Sequence, residues 1–99
     1  MRRHRARYTP EAAARIRVLH PQIKHDVREG IRALMLDPLA GKPLQWDLAG
    51  LRSLRVGRQR IVYRLSEATA SIDIVFVGIR KTVYEELQAM LLRERRRDA

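Results

Sequence analysis

Apolar residues recur along this chain with two different periods, and the switch between them outlines the fold. Arg5–Tyr8 is a short candidate first strand. Thr9-Pro10-Glu11 then reads as a helix start, with Thr as N-cap, Pro at the first helical position and an acid in the first turn. That helix is expected to run through Ala12-Ala13-Ala14 to about Leu19, with Ile16 and Leu19 on one side. His20-Pro21 interrupts it, because a residue before proline disfavours helical geometry. A second helix opens at Pro21, and Ile23, Val27, Ile31 and Leu34 form an apolar stripe at spacings of three and four. Gly30 weakens it without stopping it; Asp37-Pro38 ends it.

After a loop over Leu39–Gly50 the period falls to two. Leu51–Val56 and Gln59–Leu65 alternate, and Ser71–Ile79 is dense in β-branched residues, so three strands are expected. From Thr82 the spacing is helical again, with Val83, Leu87, Met90 and Leu91 on one side and a basic end at Arg93–Arg97. The order predicted is β-α-α-β-β-β-α. It is an α+β fold in which an N-terminal helical hairpin packs on a small, mainly antiparallel sheet, followed by a C-terminal helix. Residues 1–99 are read as a single domain, with no repeat or linker.

Charge changes this picture more than composition does. Twenty-one Lys and Arg against eleven Asp and Glu give a formal net charge of +10, which favours a polyanionic partner, either nucleic acid or an acidic protein. A GC-rich genome explains the excess of Arg over Lys equally well, but not the net charge. No apolar run approaches the roughly 20 residues of a membrane span. The basic start Met1–Arg5 is followed by polar Tyr8–Glu11 where a secretory signal needs apolar residues, so a cytoplasmic location is expected. The absence of cysteine excludes disulfides, thiolate zinc sites and a cysteine nucleophile. His4, His20 and His25 lack ligand spacing, and Asp26 and Glu29 lack a facing carboxylate. No metal or other cofactor is expected.

The informative stretch is Ser53–Arg64. With Gly57-Arg58 as a two-residue type II′ turn, Val56 pairs with Gln59, Arg55 with Arg60 and Leu54 with Ile61. Leu54, Ile61, Tyr63 and Leu65 then share the face toward the helices, while Arg55, Arg60, Val62 and Arg64 share the other. Directly opposed arginines weaken a sheet, a cost tolerable where the face meets an anion. The alternative is an ordinary solvated face. Arg80 at the exit of the next strand, with Tyr84 one helical turn on, favours a cluster. Trp46 is read as a loop anchor packed on the sheet rather than a base-stacking platform, and the Arg93–Arg97 end as a solvated helix terminus rather than an rRNA contact.

These residues resemble the RelE/ParE superfamily of toxins from type II toxin–antitoxin modules. The run Leu48–Tyr63 is similar to the family's central hairpin, and Val77-Gly78-Ile79-Arg80-Lys81-Thr82-Val83-Tyr84 to its closing strand, G-x-R element and V-Y before the last helix. The resemblance implies a bacterial toxin at the RelE-like end: a ribosome-dependent mRNA endonuclease (mRNA interferase). It would act without metal by attack of the ribose 2′-OH, and would be neutralised by an antitoxin. The family positions implied as catalytic fall on Arg60, Arg80 and Tyr84. Arg52, Arg55, Arg58, Arg64 and Lys81 are candidate RNA-binding cations. RelE-like members carry lysines before the hairpin turn; here Leu51 and Ser53 stand nearest those places, leaving Arg55 as the candidate substitute. Implied partners are a cognate antitoxin, the 70S ribosome and mRNA, with no membrane, and operator DNA only as the toxin–antitoxin complex. The alternatives are a ParE-like DNA gyrase poison without RNase activity and an inactive antitoxin- or DNA-binding module.

In such a reaction arginine suits the phosphate because its planar fork donates two hydrogen bonds. Arg60 is the candidate for transition-state charge, and Arg80 for the scissile phosphate or the leaving oxygen. Tyr84 is the candidate for stacking, orienting or proton transfer.

Overall fold

A computed structural model of the chain describes residues 3–79 and 82–98, the last two by backbone alone. Its elements are β1 (Arg5–Tyr8), α1 (Pro10–Arg17), α2 (Pro21–Leu36), β2 (Lys42–Pro43), a 3-10 turn (Trp46–Leu48), β3 (Arg52–Val56), β4 (Gln59–Ser66), β5 (Ser71–Ile79) and α3 (Val83–Asp98). This is the expected α+β order with one addition, the two-residue β2 inside the predicted loop. The five strands lie in the order β1-β5-β4-β3-β2. β1 runs parallel to β5, and every other pairing is antiparallel.

Local chemistry sets the helix starts. The Thr9 side chain accepts from the Ala12 amide at 3.1 Å, and its hydroxyl donates to the Val75 carbonyl at 2.6 Å, so one residue caps α1 and ties it to β5. His20 Nδ1 accepts from the Gln22 amide at 3.3 Å and caps α2. His20 must be extended to precede Pro21, which is why α1 stops at Arg17, two residues short of Leu19.

The sheet is covered on both faces. On one, Ala12, Ile16, Val27, Ile31 and Leu34 from α1 and α2 bury Ile61, Tyr63, Ile72, Ile74 and Val77. On the other, Val83, Leu87 and Met90 of α3, with Leu48 and Leu51, bury Val62, Val75 and Phe76. The face expected to carry only arginines and Val62 is therefore half roofed, and Val62 is completely buried. Gly30 has a packing reason: a Cβ there would stand 2.8 Å from Val56 Cγ2 and 3.2 Å from Ile61 Cδ1. The missing side chain lets α2 settle onto the sheet, which outweighs the helix propensity lost.

Arg15 joins α1 to α3. Its guanidinium lies 5.3 Å from the centre of the Phe76 ring and pairs with the Glu86 carboxylate, whose other oxygen accepts from the Thr82 hydroxyl at 3.0 Å. No described helix is long and apolar enough to cross a membrane.

Candidate functional site

The β3–β4 hairpin has the register that its sequence predicts: Val56 faces Gln59, Arg55 faces Arg60 and Leu54 faces Ile61. Gly57 has φ +58°, while Arg58 is not among the residues of positive φ, as a type II′ turn requires. Strand alternation then places Ser53, Arg55, Arg60 and Val62 on the face that α3 covers.

Three of these elements converge on one hydroxyl. Ser53 is 3% exposed. Its Oγ accepts from Arg60 Nη1 at 3.2 Å and from the Tyr84 hydroxyl at 3.3 Å. The Arg60 guanidinium lies 6.0 Å from the centre of the Tyr84 ring, the outer limit of cation–π attraction. Arg60 is half-buried, and among the described residues its buried Nε has no acceptor. A half-buried guanidinium with unused donors can receive an anion with less water to remove than a fully exposed one.

Tyr84 reaches this spot because of Gly78. Gly78 is the ladder partner of Arg60, and a Cβ on it would stand 2.9 Å from Val83 Cγ2 and 3.2 Å from Phe76 Cε2. With only hydrogen there, the first turn of α3 closes on β5 and carries Tyr84 toward β4.

The remaining candidates divide. Arg55 is exposed opposite Arg60, and its Nε donates to the Gly57 carbonyl at 3.4 Å. Arg58 is exposed at the turn. Arg80 and Lys81 lie outside the described residues. Arg52 is elsewhere: it points to the helical face, and its Nη2 donates to the carbonyls of Gly41 at 2.7 Å and Leu39 at 3.2 Å. Tyr63 holds the same segment, its hydroxyl accepting from the Gly41 amide at 3.0 Å and donating to the Pro38 carbonyl at 2.6 Å. Arg64 shares the face of Arg60 but not its surroundings. It lies opposite Asp73 in a hollow lined by Arg7, Asp73, Met90 and Glu94, about 13 Å along the strand.

Trp46 corrects another expectation. It is 89% exposed and has φ +58°; Leu48 and Leu51 anchor the loop in its place. Sequence reasoning passed over Ser53 and Gly78 as site residues. The signal for Ser53 was its parity with Arg55, and for Gly78 a glycine inside a β-branched strand. Among the described residues no three His, Cys, Asp or Glu side chains gather as metal ligands.

No protein-family model matches the chain. It is 35% identical over 80 residues to Toxin RelG of Mycobacterium tuberculosis, a match spanning 79% of this chain and 92% of that protein. The RelBE2 toxin–antitoxin complex of M. tuberculosis contains a chain superposing with TM-score 0.75 at 34% identity, covering 81% of this chain and 94% of that one. The isolated RelE toxin of E. coli superposes with TM-score 0.68 at 16% identity, over 89% and 98% of the two chains, a likeness of fold. With hairpin, closing strand and last helix arranged as described, the chain belongs to the RelE family of toxins from toxin–antitoxin modules.

Proposed function

We propose that this toxin is a ribosome-dependent mRNA endonuclease of the cytoplasm that cleaves without a metal ion. The observation that carries the reading is the convergence of Arg60 and Tyr84 on the Ser53 hydroxyl, beside a second, exposed arginine at position 55. In the proposed reaction the ribose 2′-oxygen forms a bond to the adjacent phosphorus and the bond to the 5′-oxygen breaks. The products are a 2′,3′-cyclic phosphate and a free 5′-hydroxyl. One proton leaves the 2′-OH and one reaches the 5′-oxygen, while negative charge grows on the phosphoryl oxygens.

Arg60 is proposed to meet that charge, since it is only half-buried and a guanidinium can donate two hydrogen bonds to phosphate oxygens. Tyr84 orients or stacks on a base beside the scissile bond, or hands on a proton. Arg80, two residues beyond the ladder partner of Arg60, is assigned to the phosphate or the leaving oxygen, and Arg55, Arg58 and Lys81 to the flanking backbone. A net charge of +10 supports docking on the 70S ribosome and its mRNA, and inhibition by a cognate antitoxin whose acidic segment lies over the same face.

Expressing the toxin and mapping mRNA ends tests the proposal. Cleavage inside translated reading frames, abolished by Arg60→Ala, is the expected result. Intact mRNA together with gyrase-linked DNA breaks would overturn it in favour of a ParE-like activity.

A further inference from the structure

The structure assigns Ser53 as a positioning residue of the proposed cleavage site: its hydroxyl fixes the guanidinium of Arg60 and the phenol of Tyr84 relative to each other before substrate arrives. The assignment rests on the cleavage reading for its functional consequence, but not for its geometry. Ser53 is 3% exposed, sits in β3 opposite Val62, and receives bonds of 3.2 Å from Arg60 and 3.3 Å from Tyr84.

A hydroxyl has two acceptor lone pairs and one hydrogen. Both lone pairs are engaged here by groups that belong to different elements. Arginine and tyrosine have rotamer freedom that must be lost before they can act together; serine has one side-chain torsion and stands on a strand paired on both sides in the sheet. The short residue therefore supplies the fixed point and the long ones are held to it. This is preorganisation by a neighbour that itself touches no reacting atom.

The contacts at this position suit a hydroxyl and would not suit a lysine. An ammonium there would add charge and only donate hydrogen bonds, so it could accept from neither Arg60 nor Tyr84. The hydroxyl adds no charge, and by turning its hydrogen it stays bonded to the phenol oxygen whether that oxygen donates or accepts. Arg60 thus keeps its remaining donors for an incoming anion.

The experiment compares the full-length toxin with Ser53→Ala, Ser53→Thr, Tyr84→Phe and the Ser53→Ala/Tyr84→Phe pair in cleavage of mRNA on programmed ribosomes. Ser53→Ala should lower kcat about tenfold with KM for ribosomes unchanged. Ser53→Thr, which keeps the hydroxyl, should recover most of the activity. In the Tyr84→Phe background, Ser53→Ala should cost less than it does alone. Full activity in Ser53→Ala, an effect confined to KM, or strictly additive losses would overturn the assignment.

Nuclear magnetic resonance gives a readout free of activity. In Ser53→Ala the Tyr84 ring-carbon and Arg60 guanidinium-nitrogen signals should move, while those of Tyr8 stay in place. If the wild-type toxin cleaves no mRNA, the cleavage reading fails and these signals still decide the positioning role; unmoved Tyr84 and Arg60 signals would reject it. The same signals decide if Ser53→Thr does not fold.

Discussion

Gly78 is the ladder partner of Arg60 and also the residue on which Val83 rests, with room for a hydrogen but not for a methyl group. The pairing fixes where Arg60 stands on the sheet, and the close approach fixes how near α3 begins. The Arg60–Tyr84 spacing thus depends on a residue with no side chain. Gly78→Ala should push the first turn of α3 outward, destabilising the fold by about 1–3 kcal/mol. It should lower cleavage per folded molecule by up to about a hundredfold, with the folded fraction read from a denaturation curve. Unchanged cleavage would mean that α3 can shift without moving Tyr84.

Arg60 and Arg64 lie on one face of one strand and should behave differently. Arg60→Ala is expected to reduce cleavage about a hundredfold or more, and Arg60→Lys should restore little, because an ammonium lacks the two-pronged fork. Arg64→Ala should change single-turnover cleavage only slightly, since Arg64 faces Asp73 in a separate hollow. Equal losses at the two positions would contradict the division of the face by α3.

The segment from Pro38 to Gly41 is held by Tyr63 and Arg52 rather than by regular structure. Tyr63→Phe keeps the ring but strands a buried amide and a carbonyl, so stability to denaturant should fall by about 1–3 kcal/mol. Gly41→Ala should fall at least as far, as its Cβ would meet the Tyr63 hydroxyl at 2.6 Å and the Ser53 carbonyl at 2.9 Å. A neutral result for Gly41→Ala would show that this turn yields.

Trp46 is the sole tryptophan and is 89% exposed. Its fluorescence in the folded protein should already be that of a solvated indole, readily quenched by iodide and little shifted on unfolding. A blue-shifted, protected emission would place the ring back against the sheet.

The hairpin register was legible because two constraints agree on it: a glycine suited to positive φ at the turn, and an alternation that would invert if the strands slipped by one. The Thr9 cap and the Pro21 start were legible for similarly local reasons. What α3 covers was not. An antiparallel sheet with a polar face is stable in water, and only tertiary packing reveals that Val62, Val75 and Phe76 need a roof. β2 was hidden by its length, two residues of which one is proline. Arg52 was grouped with Arg55 by charge, although their opposite parity along β3 already separates them. Trp46 departs from the expectation that an aromatic residue in a loop anchors it: the residue is 89% exposed and its backbone is left-handed.

The parallel pairing of β1 with β5 governs timing. Thr9, just past β1, bonds to Val75, 66 residues later, so the outer edge of the sheet closes only after most of these residues have been synthesised. Long-range strand closure of this kind is slow. The Arg60–Tyr84 pair likewise has to wait for α3. A partly synthesised chain therefore holds Arg60 without Tyr84, and on the proposed reading the pair is complete only once α3 has been made.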